Sequence, residues 1–266
     1  MRTSISPIER DADRCRLRKD GTVVSYGEVA DDLLITVRRA PDSPMNDQAL
    51  VLVARADCSM EKTGSWDTFG MRGTCSPGFV VTAVFDERQI VPDPFAEISA
   101  QTMLPFAHLL WSAVWLGIAK DAVGRARAYV RDVARQTPGV TPPSALRVSE
   151  VAVTLQTMRA HAHDLVRRYD ELLAGPDAGR EVLSSTGFAI AMNNLKVASS
   201  RLVVEIVISA MRICGTSAYR NDTRYSLTRH MRDACSAALM IGNDRILGTN
   251  GVLHLAVKED VFSDLF

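Results

Sequence analysis

The hydrophobic period of this chain changes once, near Pro92 and Pro94, and that change limits the folds open to it. Before it, residues 22–25, 33–37, 49–53 and 78–85 are short runs rich in β-branched residues, punctuated by Gly, Pro, Asp and Asn. Such runs read as β-strands. After it, apolar residues recur at helical spacing in four stretches. The first covers about 98–136 and stops at Pro138-Gly139. Pro142-Pro143-Ser144 restarts the second, which runs to about 174 and stops at Gly175-Pro176. The third runs from about 179 to 214, before Gly215, and the fourth from about 225 to 247, before Gly248-Thr249-Asn250-Gly251. Strands followed by helices give an α+β chain with segregated domains, here 1–95 and 96–266. Four amphipathic helices with short connections predict an antiparallel four-helix bundle.

A chain of 266 residues, 47% of them hydrophobic, can bury a core without disulfides or metals. Its 31 basic and 31 acidic residues cancel, which leaves no electrostatic footprint for nucleic acid or an anionic membrane. The run Arg14-Cys15-Arg16-Leu17-Arg18-Lys19 reads as a solvated strand face rather than a binding patch. The cysteines at 15, 58, 75, 214 and 235 are odd in number and widely spaced, with no C-x-x-C pair. This pattern argues against a disulfide framework or zinc site and fits a reducing cytoplasm. His161 and His163, two apart on a helix, face different sides and do not share a metal. The polar N-terminus is not a signal peptide. The longest apolar stretch, around 104–119, contains His108 and is short for a membrane span. The expectation is a cytoplasmic protein with no metal, nucleic-acid or membrane partner.

Three stretches together resemble the acyl-CoA dehydrogenase superfamily. The first is Trp66-Asp67-Thr68-Phe69-Gly70-Met71-Arg72-Gly73-Thr74-Cys75-Ser76, followed by a strand and Val91-Pro92. The second is Gly117-Ile118-Ala119, similar to a point where small residues let helices approach. The third is Gly215-Thr216-Ser217-Ala218-Tyr219, then Leu227-Thr228-Arg229-His230-Met231-Arg232-Asp233-Ala234, whose longer intervening loop resembles the branch of dibenzothiophene-type monooxygenases and enzymes of secondary metabolism. In this last motif Arg229, Arg232 and Asp233 are expected to form a buried ion-pair cluster rather than to contact substrate, with His230 a surface or interface residue. Residues 16–27 also match a family strand pair.

The resemblance implies a partial β-barrel middle domain ahead of the bundle, and FAD as cofactor. Ser25 then takes the place of the hydroxyl residue that hydrogen-bonds the flavin ring, and Gly215, Thr216 and Asn243 are further cofactor contacts. The match begins inside the family's middle domain, without its N-terminal helical domain. The resemblance therefore implies a homo- or hetero-oligomer with a chain that supplies that domain. The family's glutamate base falls on Ile241 when counted eight residues from Asp233, and on Ala107 when counted ten residues back from Gly117. Neither side chain can take a proton, and His108 is the only titratable neighbour. The leading expectation is a flavoprotein, or a subunit of one, that oxidises an acyl thioester at a CH–CH bond with a companion chain. The alternatives are a catalytically degenerate structural or binding subunit and a flavin-dependent monooxygenase-like protein, which needs no carboxylate base.

Overall fold

The computed structural model describes residues 3–11 and 14–256. The chain divides into two compact units, Met1–Ser99 and Ala100–Phe266. Among the described residues the first carries six strands: β1 Glu9–Asp11, β2 Arg14–Gly21, β3 Asp32–Arg38, β4 Gln48–Ala54, β5 Cys58–Lys62 and β6 Phe79–Phe85. They form an antiparallel sheet in the order β1-β2-β6-β5 and a separate β3-β4 pair. Along β2 the buried Cys15 and Leu17 alternate with exposed arginines, the period-2 signature of a half-buried strand. Both sheets feed one core, in which Leu17, Val37, Val51, Val53, Val81 and Phe85 are buried. The expected partial barrel is two small sheets, and they do not close.

Residues 22–25, expected as a strand, are not one. β2 ends where Gly21 pairs with Phe79, and the opposing chain continues into Pro77, which has no N–H for the ladder. The backbone then turns, with Tyr26 in the left-handed region.

A short helix, α1 Phe95–Ile98, follows, and then a π-helical turn, Ser99–Met103. The second unit carries α2 Leu104–Gln136, α3 Ser144–Ala174, α4 Asp177–Leu183, α5 Thr186–Cys214, α6 Thr216–Tyr219, α7 Thr228–Cys235 and α8 Asn243–Ala256. The segment Phe95–Gln136 is long and apolar enough to cross a membrane by length and composition. Its buried face, with Trp115, Ala119, Ala122 and Ala126, packs into the core built with α5. Small residues do bring α2 and α5 together, but Gly117 is not one of them. It is exposed, and a Cβ there would meet nothing within 4 Å.

The expected fourth helix is interrupted. α7 stops at Cys235, residues 236–242 form turns, and Ile241 adopts φ 48°. A β-branched residue in the left-handed region is an outlier that needs an outside support. That support is Lys196 of α5, whose ammonium donates to the Ile241 carbonyl at 2.7 Å. Residues 248–251, expected to end the helix, lie inside α8. Asn250 is buried there; it accepts from Asn193 at 2.7 Å and donates to Asn194 at 3.0 Å. These bonds to α5 offset the helix-propensity cost of Gly248 and Gly251, about 1 kcal/mol each.

Candidate functional site

In the first unit, the Trp66-to-Ser76 motif folds into a loop that closes on residues 22–30. Val24 donates its N–H to Pro77 at 3.1 Å, and Tyr26 to Cys75 at 3.2 Å. Tyr26, Met71 and Cys75 have φ of 54°, 53° and 42°. Three left-handed residues other than glycine in one loop pair mark stored strain, which functional sites keep and ordinary loops shed. A chain of hydroxyls runs through it. Thr74 Oγ1 donates to the Met71 carbonyl at 2.9 Å, an oxygen that Trp66 Nε1 also reaches at 3.1 Å. Buried Ser76 donates to Thr74, with its Oγ 3.0 Å from the carbonyl and 2.9 Å from Oγ1. Ser25 Oγ lies 2.9 Å from Ser76 Oγ and is exposed at the end of the chain. Ser25 sits on a turn, not on a strand. The same loops expose the aromatic rings of Tyr26 and Phe69.

The helical unit holds a second centre, which sequence reasoning missed. Lys196 is fully buried and donates to the Ile241 carbonyl at 2.7 Å and to Asn243 Oδ1 at 2.8 Å. Its ammonium stands 5.8 Å from the centroid of the Trp115 ring. Burial pushes its pKa down to about 8. The available signal was a lysine on an otherwise buried helix face, between Leu195 and Val197 and one turn before Ser200. Ser200 and Asn243 exchange hydrogen bonds at 3.0 and 3.2 Å, so the Asn243 carboxamide is committed to the interior rather than to a cofactor.

His108, Ser112 and Trp115 occupy one buried face of α2. His108 Nδ1 donates to the Met192 carbonyl at 3.0 Å, which leaves Nε2 without the proton in the neutral ring. Burial lowers its pKa to about 4, against the effect of the Met192 bond and with a contribution from the Lys196 charge. Ala107 is half-buried and unreactive. The structure thus joins Ile241 and Asn243 through Lys196, and places His108 on the neighbouring helix as a packed, neutral ring. Gly215 and Thr216 lie apart, where α5 ends. Gly215 has φ 58° and ψ −139°, a conformation suited to glycine, with open space where a Cβ would stand.

The Arg229–Asp233 motif also departs from expectation. Arg229 is exposed, whereas His230 is buried and contacts Asp121 Oδ2 through Nε2 at 2.6 Å. Arg125 holds the same carboxylate at 2.9 Å and donates to the Ser226 carbonyl at 2.9 Å, which ties α2 to the start of α7. The inward residue is the histidine because the first turn of α7 places it toward α2. Among the described residues no group of three or more His, Cys, Asp or Glu is arranged to hold a metal ion.

His108 and Lys196 both make stability rise with pH, in two separate ranges. His108 has a folded pKa of about 4 against 6.5, so the unfolded chain binds its proton first as pH falls. Stability is full above 6.5 and should drop by about 3 kcal/mol as pH approaches 4. Lys196, at about 8 against 10.5, pays for burying a charge below pH 8, and that cost is relieved between 8 and 10.5. Urea unfolding across this range checks both limbs. His108→Gln, which can still donate to Met192, should flatten the acid limb.

The family model described as Acyl-CoA dehydrogenase, C-terminal domain, matches residues 98–251. The chain belongs to the acyl-CoA dehydrogenase family. No curated protein sequence matches it. Among solved structures of this fold, dibenzothiophene monooxygenase (TdsC) from Paenibacillus sp. A11-2 superposes with a TM-score of 0.74 at 22% identity, over 96% of this chain and 69% of that one. The flavoprotein nitroalkane oxidase superposes with a TM-score of 0.75 at 17% identity, over 96% and 63%. The electron transferring flavoprotein of Acidaminococcus fermentans gives 0.74 at 15% identity, over 96% and 64%. The chain therefore spans about two thirds of each neighbour. This acyl-CoA dehydrogenase-type chain shares the fold of flavoproteins with different chemistries.

Proposed function

We propose that this chain is the flavin-binding part of an acyl-CoA dehydrogenase-type oxidoreductase, that FAD is its cofactor, and that its own residues supply no base. The observation that carries the flavin reading is the strained loop pair with its hydroxyl chain ending at exposed Ser25. The loop pair suits a flavin: a hydroxyl held from behind and an exposed aromatic ring, Tyr26, beside it in sequence. Ser25 would hold the ring edge, and Gly215-Thr216 of a neighbouring chain would approach the cofactor. Flavin, when bound, accepts or delivers an electron pair. TdsC has been crystallised with bound FMN, which supports a flavin in this fold.

The base is a separate matter. Both family positions carry side chains that do not ionise, and the nearest buried charge, Lys196, is a cation. A companion chain would then supply the base for oxidation of an acyl thioester. Phe106, Leu110 and Val114 form an exposed apolar stripe at i, i+4 and i+8 on α2, a surface suited to such a partner or to a second copy. The monooxygenase-like reading is favoured by one observation, the absence of a carboxylate at either position, because that chemistry requires none. The five free thiols suit a reducing cytoplasm.

Titrating the purified chain with FAD and following its absorbance and fluorescence tests the flavin reading. Binding is expected, with Ser25→Ala weakening it about 3- to 10-fold, the size of one neutral hydrogen bond. Light scattering of the same sample should show an oligomer. A colourless monomer that leaves FAD free would refute this account in favour of a non-catalytic subunit.

A further inference from the structure

We propose that a groove on the helical unit, between α3 and α5, binds an extended zwitterion, a small molecule with an anionic group at one end and an ammonium at the other. The groove has a volume of about 350 Å³ and is lined by Arg147, Glu150 and Thr154 of α3 and by Glu205, Ser209 and Arg212 of α5, beside buried Val151. The two helices run antiparallel. Val151 and Met158 share one core with Val203 and Ala210, while Leu165 and Tyr169 share another with Phe188 and Met192. The start of α3 therefore meets the end of α5, which sets Arg147 level with Arg212 and Thr154 level with Glu205, with Glu150 and Ser209 between. The charges are thus sorted by sign along the groove. From Glu205 to Arg212 the helix rises about 10 Å. Among the described residues none of the four charged side chains makes an ion pair. Elsewhere on this unit arginines take a carboxylate three or four residues away, as Arg125 does with Asp121 and Arg167 with Asp164 and Glu171. Arg147 and Glu150, also three apart, do not.

The chemistry of the ligand follows. A carboxylate suits the end with two guanidinium groups, each able to hold it through two parallel N–H donors. An ammonium has three donors to offer the Glu150 and Glu205 carboxylates and the Ser209 hydroxyl. A methylene chain between them would lie along Val151. A ligand with only one charge gains at one end of the groove and is repelled or left unpaired at the other. An ω-amino acid gains at both, and the loaded groove stays neutral.

Isothermal titration calorimetry of the full chain with 6-aminohexanoate, against hexanoate and hexylamine, tests this at low ionic strength. The zwitterion should bind about 10-fold tighter than either singly charged analogue, the size of one charged hydrogen bond. Arg212→Gln should weaken 6-aminohexanoate about 10-fold without weakening hexylamine, and Glu205→Gln should weaken it similarly without weakening hexanoate. Both side chains are exposed, so neither substitution threatens the core. Gly215 follows Arg212 closely, so the titration is repeated with FAD present, and an unchanged affinity is expected. Displacement by FAD would assign the guanidinium end to the cofactor and overturn the proposal while supporting the flavin reading. No binding of the zwitterion, equal binding of the three compounds, or an affinity that neither variant lowers would overturn it and leave the flavin reading untouched.

Discussion

Trp115→Ala is expected to cost the helical unit about 3–5 kcal/mol, the range for deleting a large buried aromatic side chain. Trp115 is 1% exposed and sits in the core among Ala119, Val203 and Val207. The small residues around it cannot expand to fill its volume, so the site collapses poorly. Its ring also faces the Lys196 ammonium at 5.8 Å, and a desolvated cation–π contact adds roughly 2 kcal/mol. Lys196 in turn holds the left-handed Ile241, so the loss should spread to residues 236–242 and α8. Urea unfolding gives the size, and hydrogen exchange gives the spread. Trp115→Phe should retain most of the stability. A loss below about 1 kcal/mol for the alanine variant, a surface-site value, would show that this ring does not organise the bundle.

Much of the architecture was legible because burial writes itself into period. The runs at 33–37, 49–53 and 78–85 became β3, β4 and β6, where β-branched residues alternate or run together against one core. β5 was not legible: Cys58–Lys62 has no buried residue and no β-branched one, and its short alternation of Cys58 and Met60 with Ser59 and Glu61 is weak. β1 is three exposed residues paired only to β2. Gly215 correctly ended α5, since a helix stops where one residue leaves the right-handed region. The interruption after α7 could not be read locally. Its cause is a lysine some forty-five positions earlier that draws the Ile241 carbonyl out of the helical ladder. Lys196 itself escaped notice because charge is ordinarily assigned to the surface, and its acceptors are neutral groups from a distant segment. The positions of Ile241 and Ala107 were found only by family spacing. The surroundings of Ile241, a buried cation instead of a carboxylate, came from the structure.

The chain loaded with flavin and mixed anaerobically with acyl thioesters is expected to keep its oxidised flavin spectrum. Removing an α-proton requires a base within reach, and a positioned base typically contributes about 10²–10⁴ in rate. Ile241 presents its carbonyl to Lys196 and an aliphatic side chain elsewhere. Ala107 has nothing to offer. His108, next to Ala107, is held near pKa 4 by burial, with Nδ1 bound to Met192, and charging it beside Lys196 is unfavourable. The anaerobic half-reaction, followed as loss of flavin absorbance over a panel of straight-chain acyl-CoA thioesters, is the measurement that bears most directly on a flavoprotein that lacks its own base. Bleaching slower than that of a base-containing relative by about 10² or more is the predicted result. Rapid bleaching by the chain alone would contradict it, and loss of that bleaching in His108→Gln would identify the base.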